Sequence, residues 1–391
     1  MHEAVIVEAV RTPIGKGKPG AGWLNGFHAT KLLALSLQGV LDRAGIGMDD
    51  VDQIIGGCVT QAGEQSCNVV RNSWLSLGKT FKVGATTIDV QCGSGMQANH
   101  LISALIKGGS VDVGIACGVE AMSRVGLGTN VINGPGYFQP VDWPWDTAPE
   151  QFTYAERLAR HRNVTREDTD RFGLASQQKA IAARDAGHFK REILPVDAPV
   201  VSADGTPTGE TRRVETDQGI RETTLEGLAA LRPTIPDGVH TAGTSSQISD
   251  GSAAVLWMSR EKAKAYGLKP RARMVADVVV GTDPHFLLDG PVDATRAILK
   301  KTGMTLNDID LIENNEAFAA VVLGWTKVFE PDMSKLNVNG GAIALGHPVG
   351  CTGSRLIVTA LHELERRNKS TALMTMCCGS AVGVACIIER L

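Results

Sequence analysis

Cys92 stands between a strand-like run, Thr86–Val90, and the start of an amphipathic stretch that continues to about Lys107. Backbone N–H groups and the helix dipole at such a junction favour the thiolate, the reactive form of cysteine. Gly93, Ser94 and Gly95 are small enough to let a substrate approach the sulfur. The plain alternative is a small buried residue at a tight turn, where free cysteine is common. His347 lies inside Gly340-Gly341-Ala342-Ile343-Ala344-Leu345-Gly346-His347-Pro348-Val349-Gly350. So many glycines around one imidazole suit backbone that passes close to a ligand with the ring aimed at it. The alternative is a turn histidine bonded to backbone.

Cys377 and Cys378 end the strand-like run Thr371–Met376 and precede Gly379. One thiol there can exchange a proton with a substrate carbon, and the Gly379 N–H can stabilise an oxyanion. Two apolar-like residues at a strand end would look the same. Asn315, in Asn314-Asn315-Glu316-Ala317-Phe318, offers an amide to a water or a carbonyl oxygen, or simply a helix cap. His347 and Cys351 are four apart, as a metal pair can be, but no CxxC or further ligand cluster accompanies them, and no metal is expected.

These groups need rigid elements to hold them. Apolar β-type runs alternate with helical stretches, which predicts an α/β fold with largely buried sheets. The strand–turn–helix around Cys92 is followed by another strand, Val111–Ala116. The chain also repeats itself. Leu41-Asp42-Arg43-Ala44-Gly45-Ile46 leads to Asp50-Val51-Asp52-Gln53-Ile54-Ile55, and Leu299-Lys300-Lys301-Thr302-Gly303-Met304 leads to Asp308-Ile309-Asp310-Leu311-Ile312-Glu313 at the same spacing. The stretch at Leu101-Ile102 has a counterpart at Leu356-Ile357. Two copies of one α/β unit are expected. Between them, Asn133-Gly134-Pro135-Gly136 and Trp143-Pro144-Trp145 read as loops, Glu150–Asn163 and Arg166–Ala186 as helices, and Ser202–Glu210 as polar turns. That middle segment reads as an insertion.

The bulk composition excludes several classes. A net charge of −3 gives no reason to expect nucleic acid or an anionic membrane as partner. No apolar run is long enough for a bilayer, and the strand-like Ala4–Val7 follows Met1 too closely for a signal peptide. Eight scattered cysteines read as reduced thiols in the cytoplasm.

Taken together, Gln91-Cys92-Gly93-Ser94-Gly95, Asn315-Glu316-Ala317-Phe318, Gly340–Gly353 and Met376-Cys377-Cys378-Gly379 resemble the four active-site blocks of thiolases. The resemblance starts at Val7-Glu8-Ala9-Val10-Arg11-Thr12-Pro13 and covers the whole chain. It implies two similar α/β halves in a five-layer α-β-α-β-α arrangement with an inserted loop domain. Residues 1–118 and 242–268 would form the N-terminal half, 119–241 the insertion, and 269–391 the C-terminal half.

The same resemblance implies that Cys92 is acylated, His347 activates it, and Cys377 is the acid/base at the acetyl carbon. Asn315, through a water, and His347 would hold the enolate oxygen; the N–H groups of Cys92 and Gly379 would hold the acyl-enzyme oxygen. For coenzyme A, the co-substrate, Arg221 matches the position at the nucleotide end, with Thr223 beside it, and Ser246 the position near the pantetheine arm. No resident cofactor is implied. A homodimer or homotetramer is implied, with the aromatic loop residues Tyr137, Phe138, Trp143 and Trp145 covering a partner.

Three departures bear on specificity. The glycine-rich tail after the second active-site cysteine reads Cys378-Gly379-Ser380-Ala381-Val382-Gly383, which reduces backbone freedom near an oxyanion hole. Gln151-Phe152 replaces a common His-Met pair. The acyl-pocket loop is extended to Asp283-Pro284-His285-Phe286-Leu287-Leu288-Asp289-Gly290. Gln151, His285, Phe286 and Leu287 are therefore the expected acyl-pocket residues, and the pattern looks like thiolases that shorten steroid side chains. A biosynthetic acetoacetyl-CoA thiolase is the alternative within the family. A non-catalytic thiolase-like lipid-binding protein is the alternative outside catalysis, and it would have no use for Cys92, His347, Cys377 and Asn315 together.

Overall fold

The computed structural model describes residues 2–132, 138–148 and 150–391. The expected loop Asn133–Gly136 and Tyr137 lie outside the described residues. The first half runs β1 (Ala4–Arg11), β2 (Gly15–Lys16), α1 (Ala29–Ala44), β3 (Gln53–Gly57), α2 (Val69–Leu75), β4 (Gly84–Ile88), α3 (Ser94–Lys107) and β5 (Val113–Ala121). A long excursion then carries α4 (Thr129–Ile132), α5 (Gln151–His161), α6 (Arg166–Asp185), the hairpin β6 (Val196–Val201) and β7 (Pro207–Val214), and α7 (Leu225–Ala229). The chain rejoins the sheet at β8 (Ser249–Ser259), followed by α8 (Arg260–Ala265). The second half is β9 (Ala272–Gly281), α9 (Gly290–Thr302), β10 (Leu311–Asn314), α10 (Ala319–Phe329), α11 (Ala342–Leu345), α12 (Val349–Arg367), β11 (Thr371–Cys378) and β12 (Val382–Arg390).

The repeat seen in the sequence is a repeat in space. Helix α1 ends on Gly45 and α9 on Gly303, both in the left-handed conformation that lacks a Cβ penalty. A short turn follows each, and then β3 or β10 enters the sheet. The strand orders match as well: β1-β8-β5-β3-β4 in one half and β9-β12-β11-β10 in the other. Where β4 has no full counterpart, Leu336 makes a single parallel bridge to Ile312. Among the described residues the two sheets are joined into one ladder only where β1 meets β9, through Val5–Arg273 and Ile6–Ala272.

Helices α3 and α12 lie between the sheets, each touching strands of both halves. Helices α1 and α9 cover the outer faces, completing the α-β-α-β-α layering. Helix α12 is buried continuously from Val349 to Leu364, so it has no solvent face to mark it as amphipathic. Close approach of its start to that of α3 requires glycine. A Cβ on Gly353 would lie 2.1 Å from the Met96 backbone nitrogen, and one on Gly95 would lie 2.8 Å from the Gly350 oxygen. The two middle helices therefore begin against one another.

Two local expectations differ from what is found. Strand β5 continues to Ala121 with every residue buried, so no alternation marked its end. The polar stretch Ser202–Glu210 contains the hairpin turn but also the start of β7, whose first seven residues are all exposed. Exposed strand without an apolar face carries no period-two signal.

Candidate active site

The turn before α3 is built to present one side chain. Asp89 Oδ1 accepts from the Gln91 N–H at 2.6 Å, the Ser94 hydroxyl donates to the Gln91 carbonyl at 2.6 Å, and the Val90 N–H donates to the Ser94 oxygen at 2.8 Å. Gln91 is thereby held at φ +50°, a left-handed conformation costing a non-glycine residue roughly 1–2 kcal/mol. The strain is spent directly before Cys92, which follows it and is buried.

Burial decides the charge of that thiol. Desolvation pushes Cys92 up to about 12, and the N–H groups of Gly379 and of Cys92 itself offset this only in part. The sequence predicted a thiolate from the helix start; the structure holds a neutral thiol, because loss of water outweighs two N–H dipoles. Proton removal must therefore come from a neighbouring base.

His347 has the electronic state of such a base. Burial, with the nearby Arg355 guanidinium, holds its imidazole down at about 3, so it is neutral near pH 7. Its Nδ1 is 2.6 Å from Thr352 Oγ1, and its Nε2 is 3.4 Å from Asn315 Nδ2. Gly346 before it sits at φ +112°, where a Cβ would meet Ser249 Oγ at 2.3 Å. Asn315 is anchored by its N–H to the Thr375 carbonyl on β11, and its Oδ1 is buried with no protein partner among the described residues. That acceptor is available to a water or a substrate group.

The two neighbouring thiols take opposite faces of β11, as strand geometry requires. Cys377 packs with Phe152, Tyr154, Leu287, Leu288 and Phe318, under α5 and α10. Burial, then the proximity of Cys92, pushes its thiol up. Cys378 belongs to the core between the sheets, and a Cβ on Gly93 would meet its sulfur at 2.7 Å. Cys378 thus leaves the face of Cys377 and lies beneath the start of α3.

Residue Gly379 opens the β11–β12 turn, whose next two residues, Ser380 and Ala381, stand at φ +61° and +54°. This turn forms one wall of a cavity of about 740 Å³, with Asp89, Gln91, Gln151 and Leu287 around it. Phe138, Trp143, Trp145 and Tyr154 supply the aromatic wall. His285 and Phe286 do not line it. The ring of His285 reaches Asp146 at 2.8 Å, and Phe286 stacks on His161 of α5 with centroids 4.2 Å apart. The left-handed turn at Leu287 sends Leu288 into the core and folds the front of the loop back onto α5.

The residues expected at coenzyme A form a separate strip outside that cavity. Arg221 is exposed; its N–H donates to Gln177 Oε1 and its guanidinium to the Gly219 carbonyl. The Thr223 hydroxyl donates to the Arg221 carbonyl. The Ser246 N–H donates to the Ala317 carbonyl, beside the asparagine block. Gln247 joins these parts, donating to Gly219, Ile343 and Ala344 carbonyls while its own carbonyl accepts from the His347 N–H. A continuous path thus leads from the imidazole to the arginine.

Sequence reasoning overlooked two features. Thr352 went unremarked although it stands five residues after His347 in the glycine-rich block. The aromatics Phe138, Trp143 and Trp145, named only as residues that would cover a partner subunit, line the cavity.

A buried cysteine and a neutral imidazole at paired helix starts, with a second thiol and an amide beside them, sit in a fold of thiolase architecture. Comparison with known proteins agrees: the thiolase N-terminal domain model matches residues 4–261 and the thiolase C-terminal domain model residues 268–390. The chain belongs to the thiolase family and is an acyltransferase. It is 42% identical to a steroid 3-ketoacyl-CoA thiolase of Mycobacterium tuberculosis, over 100% of this chain and 95% of that one. It is also 42% identical to a 3-ketoacyl-CoA thiolase of Cronobacter sakazakii, over the full length of both. Among solved structures, a Bacillus anthracis acetyl-CoA acetyltransferase superposes with a TM-score of 0.89 at 36% identity, covering 100% of this chain and 99% of that chain.

Proposed function

We propose that the chain cleaves 3-ketoacyl-CoA with coenzyme A, releasing acetyl-CoA and a shortened acyl-CoA in steroid side-chain or fatty-acid β-oxidation. In this reading His347 removes the proton of Cys92 as the sulfur attacks the 3-keto carbon. The bond between C2 and C3 then breaks, leaving an acyl-enzyme and the enolate of acetyl-CoA. Spreading the enolate charge onto the thioester oxygen, held by His347 and by Asn315 through a water, makes that departure tolerable. Cys377 supplies the proton to C2 and regains one from the thiol of coenzyme A, whose sulfur displaces the acyl group from Cys92 while His347 returns its proton to the departing Cys92 sulfur. Two covalent steps replace one difficult exchange.

The observation that carries the reading is geometric: buried Cys92 and buried His347 stand immediately before the caps of α3 and α12, whose starts meet, and Asn315 Nδ2 lies 3.4 Å from His347 Nε2. The cavity supports a bulky acyl group. Two tryptophans and a phenylalanine on its wall are 40–64% exposed. Each square ångström of apolar surface they bury against a substrate contributes about 25 cal/mol. Within the insertion, the Arg221–Thr223 strip is suited to the nucleotide end of coenzyme A and Ser246 to its pantetheine arm. We also propose a cytoplasmic homodimer or homotetramer; a fully active 41 kDa species in sedimentation would reject the oligomer.

One observation favours a second reading, the likeness to an acetyl-CoA acetyltransferase: the same residues would then make or cleave acetoacetyl-CoA. Thiolysis rates across acyl groups, from acetoacetyl-CoA to a polycyclic 3-ketoacyl-CoA, separate the two. A kcat/KM that rises with acyl bulk supports the degradative role, and one confined to acetoacetyl-CoA overturns it.

A further inference from the structure

We propose that Thr352 is a positioning residue that fixes the tautomer of His347, leaving the Nε2 lone pair as the base. The inference rests on the reading of His347 as the base for Cys92. Thr352 sits in the first turn of α12, and both its side chain and the imidazole are buried, so bulk water does not compete for either. Its Oγ1 has two neighbours, His347 Nδ1 at 2.6 Å and the Pro348 carbonyl at 3.0 Å. A hydroxyl carries one proton, and where that proton goes decides the state of the ring.

If the hydroxyl donates to Pro348, it accepts from Nδ1–H, and both contacts are hydrogen bonds. If it donates to Nδ1 instead, the approach to Pro348 brings two acceptors together with no proton between them. The first arrangement keeps one hydrogen bond more. It also leaves Nε2 unprotonated, facing the Asn315 Nδ2 at 3.4 Å, which can only donate. The opposite tautomer would aim a proton at the asparagine amide and leave no base on that side of the ring. Holding one nitrogen by its proton so that the other is free is how second partners orient imidazoles.

Thr352→Val tests this cleanly. The Pro348 carbonyl still accepts from the Cys351 and Thr352 N–H groups at 2.9 and 3.0 Å, so Nδ1 of His347 alone loses its partner. Thr352→Val, Thr352→Ser and His347→Ala would be compared with wild type by rapid-quench acylation of Cys92 from a 3-ketoacyl-CoA between about pH 6 and 9, the range in which a general base is read. Thr352→Val is expected to slow acylation roughly 10–100-fold, part of what a general base supplies, with KM changed less than about twofold. Thr352→Ser should return to within about threefold of wild type. Wild-type acylation in Thr352→Val across this range, or Thr352→Ser as slow as Thr352→Val, overturns the proposal. Wild-type acylation in His347→Ala would instead overturn the base reading beneath it. Should the valine variant not fold, Thr352→Ala read against Thr352→Ser separates the same two outcomes.

Discussion

Helices α3 and α12 occupy equivalent places in the two halves, and the residue just outside the cap of each is the one proposed to carry the chemistry. Gly93 caps α3 and Cys92 precedes it; Pro348 caps α12 and His347 precedes it. Burial acts on both, yet in opposite senses, because it always disfavours the charged form. It drives the thiol up to about 12 and the imidazole down to about 3. A duplicated scaffold thus yields an acid and a base that are both neutral at rest. At these two helix starts the halves differ in the side chain they present, a thiol in one and an imidazole in the other.

The hardest test of that comparison is removal of either partner. Cys92→Ala and His347→Ala should each lower kcat by about 10⁴-fold or more, as when one member of a catalytic unit is deleted. A His347→Ala enzyme within about tenfold of wild type would break the pairing. Next comes the split between the adjacent thiols. Cys377→Ala should lose proton exchange at the acetyl carbon of acetyl-CoA, an effect of about 10²–10⁴-fold, while Cys92 still becomes acylated. Cys378→Ala should leave exchange intact and lower stability by about 1–2 kcal/mol, from the space left beneath Gly93. If Cys378→Ala proved the worse catalyst, the two faces of β11 would have been assigned wrongly.

A smaller effect is expected at the cavity wall. Trp143→Ala with Trp145→Ala should raise KM for a polycyclic 3-ketoacyl-CoA by roughly 10-fold or more, at about 25 cal/mol per Å² of apolar surface no longer covered, and spare acetoacetyl-CoA. Phe286→Ala should instead lower the melting temperature and affect both substrates alike, since the ring packs on His161. The smallest effect is in stability against pH, and there the two helix starts should act at opposite ends. Below about 6.5 the unfolded chain binds a proton at His347 that the folded chain excludes, so stability falls with acid. Above about 8.5 the unfolded chain loses a proton from Cys92 that the folded chain retains, so stability falls with alkali. Each group contributes up to about 1.4 kcal/mol per pH unit within its window. Urea melts of His347→Asn should flatten the acid limb and those of Cys92→Ala the alkaline limb; unchanged slopes would contradict the buried, neutral pair.

Much of this was legible in the chain itself. Gly45 and Gly303 stop equivalent helices, and Asp50 and Asp308 precede equivalent strands, so the repeat is written in caps and spacing, which are local. Cys92, His347, Asn315 and Cys377 stood out because glycine-rich turns around reactive side chains suit few other purposes. What the sequence hid depends on contacts distant in the chain. The charge state of Cys92 follows from desolvation by a core that includes β12 and α12, not from its own turn. That Phe138, Trp143 and Trp145 line a cavity depends on Ser380 and Ala381, from the far end of the chain, which close its other side. The loop at His285 and Phe286 looked like a pocket wall because its apolar content was visible and its fold against α5 was not.

The central claim, that the residue before the cap of α3 is the nucleophile, is tested most directly by trapping it. The enzyme would be mixed with a 3-ketoacyl-CoA without free coenzyme A, quenched in acid within milliseconds, digested and analysed by mass spectrometry. The acyl group should be found on the peptide containing Cys92, and His347→Ala should abolish it. An acyl group carried instead by Cys377 or Cys378 would contradict the account.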